Sequence, residues 1–246
     1  MTDLLLIGGA TPEMLERLEA AFTVHRLEDA ADPVSWLAEH GSKIHYVATN
    51  GHDGVKPNYI KAMPDLKLIS CYGVGYDAID TSLARAGGIM VTHTPNVLNA
   101  EVASTALMLM LACYRNLLAD DAHVRSGDWE TGGNAPLSRS ADNQVVGIVG
   151  LGRIGQAIAD KLAPFNATIL YHARSQKMVP YQYCESLVDM AQAADVLVCI
   201  TPGGEATSKL VNAEVINALG PKGTLINVSR GSVVDETAMI AALQEG

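Results

Sequence analysis

An apolar run, Val145-Val146-Gly147-Ile148-Val149, leads straight into Gly150-Leu151-Gly152-Arg153-Ile154-Gly155, and a helix-forming segment, QAIADKLAPF, leaves it. Few arrangements satisfy a strand, a GxGxxG turn and a helix in that order. Gly150 permits the tight turn, Gly152 lets the backbone approach a pyrophosphate, and Gly155 lets the helix pack closely on the strand. The unpaired N–H groups of the first helical turn then face the phosphates. The reading is a dinucleotide-binding unit, with Gly150, Gly152, Arg153, Ile154 and Gly155 as cofactor-binding residues. A glycine turn that holds no ligand is the alternative, and the flanking strand and helix weigh against it.

The next strand ends Ile169-Leu170-Tyr171-His172-Ala173-Arg174-Ser175. An NAD-selective unit places a carboxylate about 20 residues past the fingerprint, where it accepts from the ribose 2′-OH. Ala173 stands near that place, followed by Arg174, Ser175 and then Lys177. A cation beside a hydroxyl suits a 2′-phosphate, and no carboxylate repels it. NADP(H) is therefore the preferred cofactor and NAD(H) a possible one, with a solvated surface arginine as the alternative reading of Arg174. The formal net charge is −10, which disfavours nucleic acid and anionic membranes and makes a local basic patch necessary for an anionic cofactor.

Strand-like apolar runs at 4–8, 44–49, 66–71 and 88–92 alternate with helical patterns before the fingerprint, and further runs at 167–171, 196–200 and 224–228 follow it. Such alternation predicts an α/β fold with parallel sheets and right-handed crossovers. Between the two series, Val102, Ala106, Leu109, Met110, Cys113 and Leu117 recur at helical spacing, predicting one long helix from near Asn99 to near Gly127. Residues 127–142 read as a polar loop or arm. Cys71, Cys113, Cys184 and Cys199 are far apart, without a CxxC pair, and read as buried free thiols in a reducing compartment rather than a metal site. MTDLLLIGGA lacks a basic leader segment, and no apolar run approaches membrane-spanning length, so a cytoplasmic location is expected.

Four motifs occur in order: Gly73-Val74-Gly75-Tyr76-Asp77, Thr94-Pro95-Asn96-Val97-Leu98, the fingerprint, and Asn227-Val228-Ser229-Arg230-Gly231-Ser232-Val233-Val234-Asp235-Glu236. Together they resemble the D-isomer-specific 2-hydroxyacid dehydrogenases, and within them the NADPH-dependent glyoxylate/hydroxypyruvate and hydroxyphenylpyruvate reductases. The resemblance implies two Rossmann-like domains: a flavodoxin-like substrate domain over 1–97 and an NAD(P)-binding domain over 98–246. It implies hydride transfer from NADPH to a small 2-oxo acid, giving the D-2-hydroxy acid. It implies that the N–H groups of Val74 and Gly75 hold the substrate carboxylate, as consecutive amides in a glycine turn can. Arg230 would be catalytic, contacting carboxylate and 2-oxo oxygen with its planar guanidinium; a structural arginine at a strand end is the alternative. The resemblance further places Asn50 at the substrate, and Thr105, Thr201 and Pro202 at the cofactor. The helix after Asn99 and the arm through Trp129 resemble the family's contact between two copies, so a homodimer is expected.

The family also uses a histidine as general acid, poised by a glutamate, and an aspartate at the nicotinamide carboxamide, all downstream of the arginine motif. This sequence stops at Gly246, and none of its seven histidines falls in that motif; His52 and His93 read as loop residues without a proton-transfer role. The expectation is a fragment of a longer enzyme, with chemistry severely impaired should the chain end there. A formate- or phosphite-type dehydrogenase is one alternative. An NAD(P)-sensing module related to corepressors is another.

Overall fold

In the computed structural model, which describes residues 1–245, the eight apolar runs become strands, and with two further short strands they form two separate parallel sheets. The chain divides into two units, Met1–Val97 and Leu98–Gly246.

The first unit runs β1 (Thr2–Ile7), α1 (Pro12–Ala21), β2 (Phe22–Arg26), α2 (Pro33–His40), β3 (Ile44–Asn50), α3 (Pro57–Ala62), β4 (Leu68–Tyr72), α4 (Thr81–Ala86) and β5 (Met90–Thr92). Its strand order, β2-β1-β3-β4-β5, is that of flavodoxin-like folds, and the order reverses between β1 and β3. Local chemistry starts the helices. Thr11 accepts from the N–H of Met14 ahead of Pro12, Asp32 accepts from Val34 and Ser35 ahead of Pro33, and Asp80 accepts from Leu83. Strand side chains alternate between faces. Leu5, Ile7, Val47, Ile69 and Cys71 pack with Leu37, Ile60 and Met63, whereas Leu4, Leu6 and Ala48 pack with Met14, Leu15 and Leu18 of α1. Burial on both faces explains why Leu4–Ile7 of β1 read as an unbroken apolar run.

The second unit opens with α5 (Asn99–Tyr114), α6 (Leu117–Arg125) and α7 (Asp128–Gly132). It continues through β6 (Val145–Val149), α8 (Arg153–Leu162), β7 (Thr168–His172), β8 (Gln182–Tyr183), α9 (Leu187–Ala193), β9 (Val196–Cys199), α10 (Ala213–Leu219), β10 (Thr224–Asn227) and α11 (Glu236–Glu245). The sheet order is β10-β9-β6-β7-β8. Read from β6 outward, this is the Rossmann order 3-2-1-4-5, with the switch point between β6 and β9. Val146, Ile148, Ile169, Tyr171, Val196 and Val198 face α5 and α8, where Ala103, Ala106, Met110, Ile158 and Leu162 meet them. Val149, Leu170, Leu197 and Cys199 face the opposite side with Met190 and Val215. Each fully buried aliphatic side chain of this kind stabilises by about 1.5–3 kcal/mol, so the sheet is held from both faces.

Several expectations need correcting. The long helix is two: Asn116 takes a left-handed conformation at φ 51°, and α5 and α6 meet at a 60° bend. Asparagine tolerates that conformation, so the apolar spacing continues through a break it does not reveal. No single helix among the described residues is long and apolar enough to cross a membrane. The arm over 127–142 contains α7, and it is tied down further along. Arg139 lies over the ring of Tyr114 at 4.4 Å and donates to the carbonyl of Lys222 at 2.7 Å. Of the thiols, Cys71 and Cys199 are buried but Cys184 is half-buried and Cys113 exposed. Burial pushes the Cys199 thiol up to about 12. The strands β2 and β8 have no counterpart in the sequence reading.

Candidate active site

The turn after β6 sits at the carboxyl end of the switch point. Gly150, at φ 104°, donates its N–H to the carbonyl of His172 at 2.9 Å, and a Cβ on it would meet the carbonyl of Ile200 at 2.9 Å. Gly155 is pressed onto the turn itself, since a Cβ there would stand 2.4 Å from the Gly150 carbonyl oxygen. Gly152 is the opposite case. It is exposed, and a Cβ built on it meets nothing within 4 Å. Unlike α1, α2, α4, α9 and α10, α8 begins without a side-chain cap, Gly152 being its N-cap residue. The first-turn N–H groups of Arg153, Ile154 and Gly155 therefore have no intrahelical partner and no competing side chain. Open space over a row of free amides at the positive end of a helix fits a pyrophosphate.

The end of β7 lies beside this turn, Val149 pairing with His172. Ala173 is half-buried, and Arg174, Ser175 and Lys177 are exposed. Neither the guanidinium of Arg174 nor the hydroxyl of Ser175 is engaged by another described residue, and no carboxylate occupies position 173. A phosphomonoester on the ribose is the group such a loop suits.

After β9 come Thr201 and Pro202, and after β10 come Ser229 and Arg230. The Ser229 hydroxyl donates to the carbonyl of Thr201, joining the two loops. The Thr201 hydroxyl is buried without a partner among the described residues. That is a costly arrangement for a protein to keep with no further use for the group. Asn227 shapes the Arg230 turn. Its amide donates to the Arg230 carbonyl at 2.8 Å, and its oxygen accepts from the Ser229 N–H at 3.0 Å. Arg230 itself is half-buried and donates to the Ser229 carbonyl at 3.2 Å. Thr105 is exposed on α5, its hydroxyl donating back to the Glu101 carbonyl at 3.0 Å.

In the first unit, the turn after β4 turns its carbonyls inward. The Gly73 carbonyl accepts from the N–H of Thr94 at 2.9 Å, Val74 from His93 Nδ1 at 3.0 Å, and Gly75 from Cys71 Sγ at 3.5 Å. The N–H groups of Val74 and Gly75 donate to no described residue, which leaves two consecutive amides for an anion. Tyr76 packs edge-on against His93, ring centres 4.7 Å apart, so His93 anchors the turn. Asn50 is committed to its own loop: its oxygen accepts from His52 and Asp53, each at 2.8 Å, and its amide donates to Asp53 at 2.6 Å. Sequence reading did not find Ser229, Asn227 or His93 as organising residues. The Asn-x-Ser spacing before Arg230 was the available signal for the first two.

The fold and the glycine cradle define a dinucleotide-binding protein of the Rossmann kind, and comparison with known proteins gives the family. The model for the NAD-binding domain of D-isomer specific 2-hydroxyacid dehydrogenases matches residues 107–246, and the chain belongs to that family. It is 40% identical over 230 residues to glyoxylate/hydroxypyruvate reductase A of Arabidopsis thaliana, covering 93% of this chain and 73% of the relative. It is 38% identical over 246 residues to the 2-ketogluconate reductase of Gluconobacter oxydans, covering 99% and 77%. Among solved structures, the NADPH-dependent glyoxylate/hydroxypyruvate reductase of Sinorhizobium meliloti, in complex with NADP and malonate, superposes with a TM-score of 0.91. That pair is 43% identical, over 99% of this chain and 76% of that one. These relatives are all reductases, and nothing in them supports a formate-type enzyme or a sensing module.

Proposed function

We propose that the chain reduces small 2-oxo acids of the glyoxylate, hydroxypyruvate or hydroxyphenylpyruvate type to D-2-hydroxy acids. NADPH is the preferred reductant and NADH a possible one. The observation that carries the reading is that the capless α8 amides and the Arg230 turn both lie at the carboxyl end of one parallel sheet. On this reading one would bind phosphates and the other would offer a guanidinium to the developing alkoxide. The sequence relationship to the Arabidopsis and Sinorhizobium reductases supports it.

NADPH, when bound, supplies a hydride for the carbonyl carbon. The α8 amides hold the pyrophosphate, Arg174 and Ser175 take the 2′-phosphate, and Thr201, Pro202 and Thr105 line the nicotinamide side. Arg230, fixed by Asn227, would polarise the 2-oxo group and stabilise the negative charge that develops on its oxygen as hydride arrives, and the proton that completes the hydroxyl would be taken up from water. The free amides of Val74 and Gly75 bind the carboxylate. The unit Met1–Val97 is thus the substrate-binding one and Leu98–Gly246 the cofactor-binding one. We further propose a homodimer. Leu117, Leu118, Val124, Trp129 and Leu137 are all exposed on α6, α7 and the arm that follows, Leu118 at 81% and Leu137 at 100%. So much apolar surface in one stretch marks a partner-binding face.

The test is oxidation of NADPH and NADH, followed by nicotinamide absorbance, with glyoxylate, hydroxypyruvate, hydroxyphenylpyruvate and 2-ketogluconate. Chiral analysis of the product completes it. Turnover with NADPH to the D-isomer is expected. Tight NADPH binding without turnover of any 2-oxo acid would sink the proposal.

A further inference from the structure

Residues 173–181, which follow β7, form no helix or strand, and the strand that flanks them, β8, is only two residues long. A ladder that short fixes little of the preceding loop. Two tyrosine hydroxyls act in its place. Tyr171, fully buried, accepts from the Lys177 N–H at 2.8 Å and donates to the Lys177 carbonyl at 3.3 Å. Tyr183 donates to the Ala173 carbonyl at 3.3 Å. The residues pair in register across β7 and β8, and their rings pack 5.4 Å apart. The two hydroxyls therefore pin both ends of the five-residue stretch 173–177, whose middle carries Arg174 and Ser175. The backbone at its near end is also bonded into the sheet, Cys184 donating to the Tyr171 carbonyl at 2.8 Å.

We infer that Tyr171 and Tyr183 are positioning residues for cofactor selection, holding residues 173–177 so that Arg174 and Ser175 are set for a ribose 2′-phosphate. The inference rests on the reading of Arg174 given above. A loop ordered in advance loses less conformational freedom on binding. Only NADPH draws on the two side chains that the loop presents. NADH offers a 2′-hydroxyl and gains little from them. Loosening the clasp therefore weakens NADPH and leaves NADH nearly unchanged. A merely structural role would weaken both alike.

The experiment is direct titration of NADPH and NADH, by cofactor fluorescence, against the parent, Tyr171→Phe, Tyr183→Phe and Arg174→Ala, with thermal melting of each. Phenylalanine keeps the packed ring and removes only the hydroxyl. Each tyrosine variant is expected to raise the NADPH Kd roughly three- to tenfold, the size of one lost hydrogen bond, with NADH within twofold of the parent. Tyr171 is buried, so if Tyr171→Phe does not fold, Tyr183→Phe decides. Folded variants that keep the parent's ratio of NADPH to NADH affinity, while Arg174→Ala loses it, overturn the clasp and leave the Arg174 reading standing. An unchanged ratio in Arg174→Ala removes that reading and the clasp's purpose with it.

Discussion

The α-carbon of Gly155 faces the carbonyl oxygen of Gly150 so closely that a methyl group on it would stand 2.4 Å away. Gly152, between them, faces open space. The same motif thus holds one glycine required by packing and one kept clear for a ligand, and stability and binding should separate on substitution. Gly155→Ala should cost about 1–3 kcal/mol of stability, the usual penalty of overpacking. Gly152→Ala, at φ −86° and ψ −160°, should melt at or slightly above the parent temperature. It should nevertheless bind NADPH at least about tenfold more weakly, or ~1.4 kcal/mol. Melting curves and cofactor titrations on both variants check the split.

Thr201→Val tests the buried hydroxyl without a partner. Valine keeps the shape and removes a desolvated polar group, so the cofactor-free protein should gain up to about 1–3 kcal/mol. NADPH affinity should fall. A stability gain with unchanged affinity would take Thr201 out of the cofactor site.

Arg230→Lys keeps the charge but loses the planar two-pronged grip, and Arg230→Ala loses both. In protein that turns over a 2-oxo acid, kcat/KM should drop for lysine and further for alanine, by about 10²–10³. NADPH titration should stay close to parental. Loss of cofactor binding instead would make Arg230 a structural residue of the turn that Asn227 organises.

Lys209 lies 3.3 Å from Asp235 and, by hydrogen bonding to it, holds that carboxyl below the ordinary aspartate value of 3.8, helped by the N–H of Ala238. A depressed folded-state pKa adds stability above pH 3.8 that is lost as pH falls through the lowered value. Asp235→Asn retains an oxygen for Ala238 but not the charge, so it should melt below the parent at neutral pH, and the gap should close as the parent's carboxyl protonates. A constant gap from about pH 7 to about pH 3 would show that ionisation is not its source.

Leu118→Glu places a charge on the exposed apolar stretch of α6. Light scattering at micromolar concentration should show the parent as a dimer and the variant shifted to monomer, since burying one leucine stabilises an interface by about 1.5–3 kcal/mol. A monomeric parent would count against the proposed assembly.

Strands buried on both faces were legible in the sequence because their buried residues form unbroken apolar runs, as Leu4–Ile7 of β1, β6 and β9 show. The edge strands were not. In β2, Phe22–Arg26 follows α1 directly, with no turn residue to mark the change, and its polar Thr23, His25 and Arg26 dilute the apolar signal. Gln182–Tyr183 is too short to have a period. The cradle was legible because glycine is demanded by geometry at fixed spacing. Tyr171 was not, since a tyrosine in an apolar run reads as core, and neither was Tyr183, which stands in a stretch without a period; only the fold shows where their hydroxyls end.

The distribution of thiols gives each half of the molecule its own reporter. Cys71 is 1% exposed in the first unit and Cys199 is 0% exposed in the second. A thiol buried away from solvent reacts slowly with alkylating agents until its surroundings open. Exposed Cys113 labels at once and serves as the internal standard. The order in which the other two acquire label under mild denaturant, read by peptide mass, would tell which sheet opens first without any introduced probe.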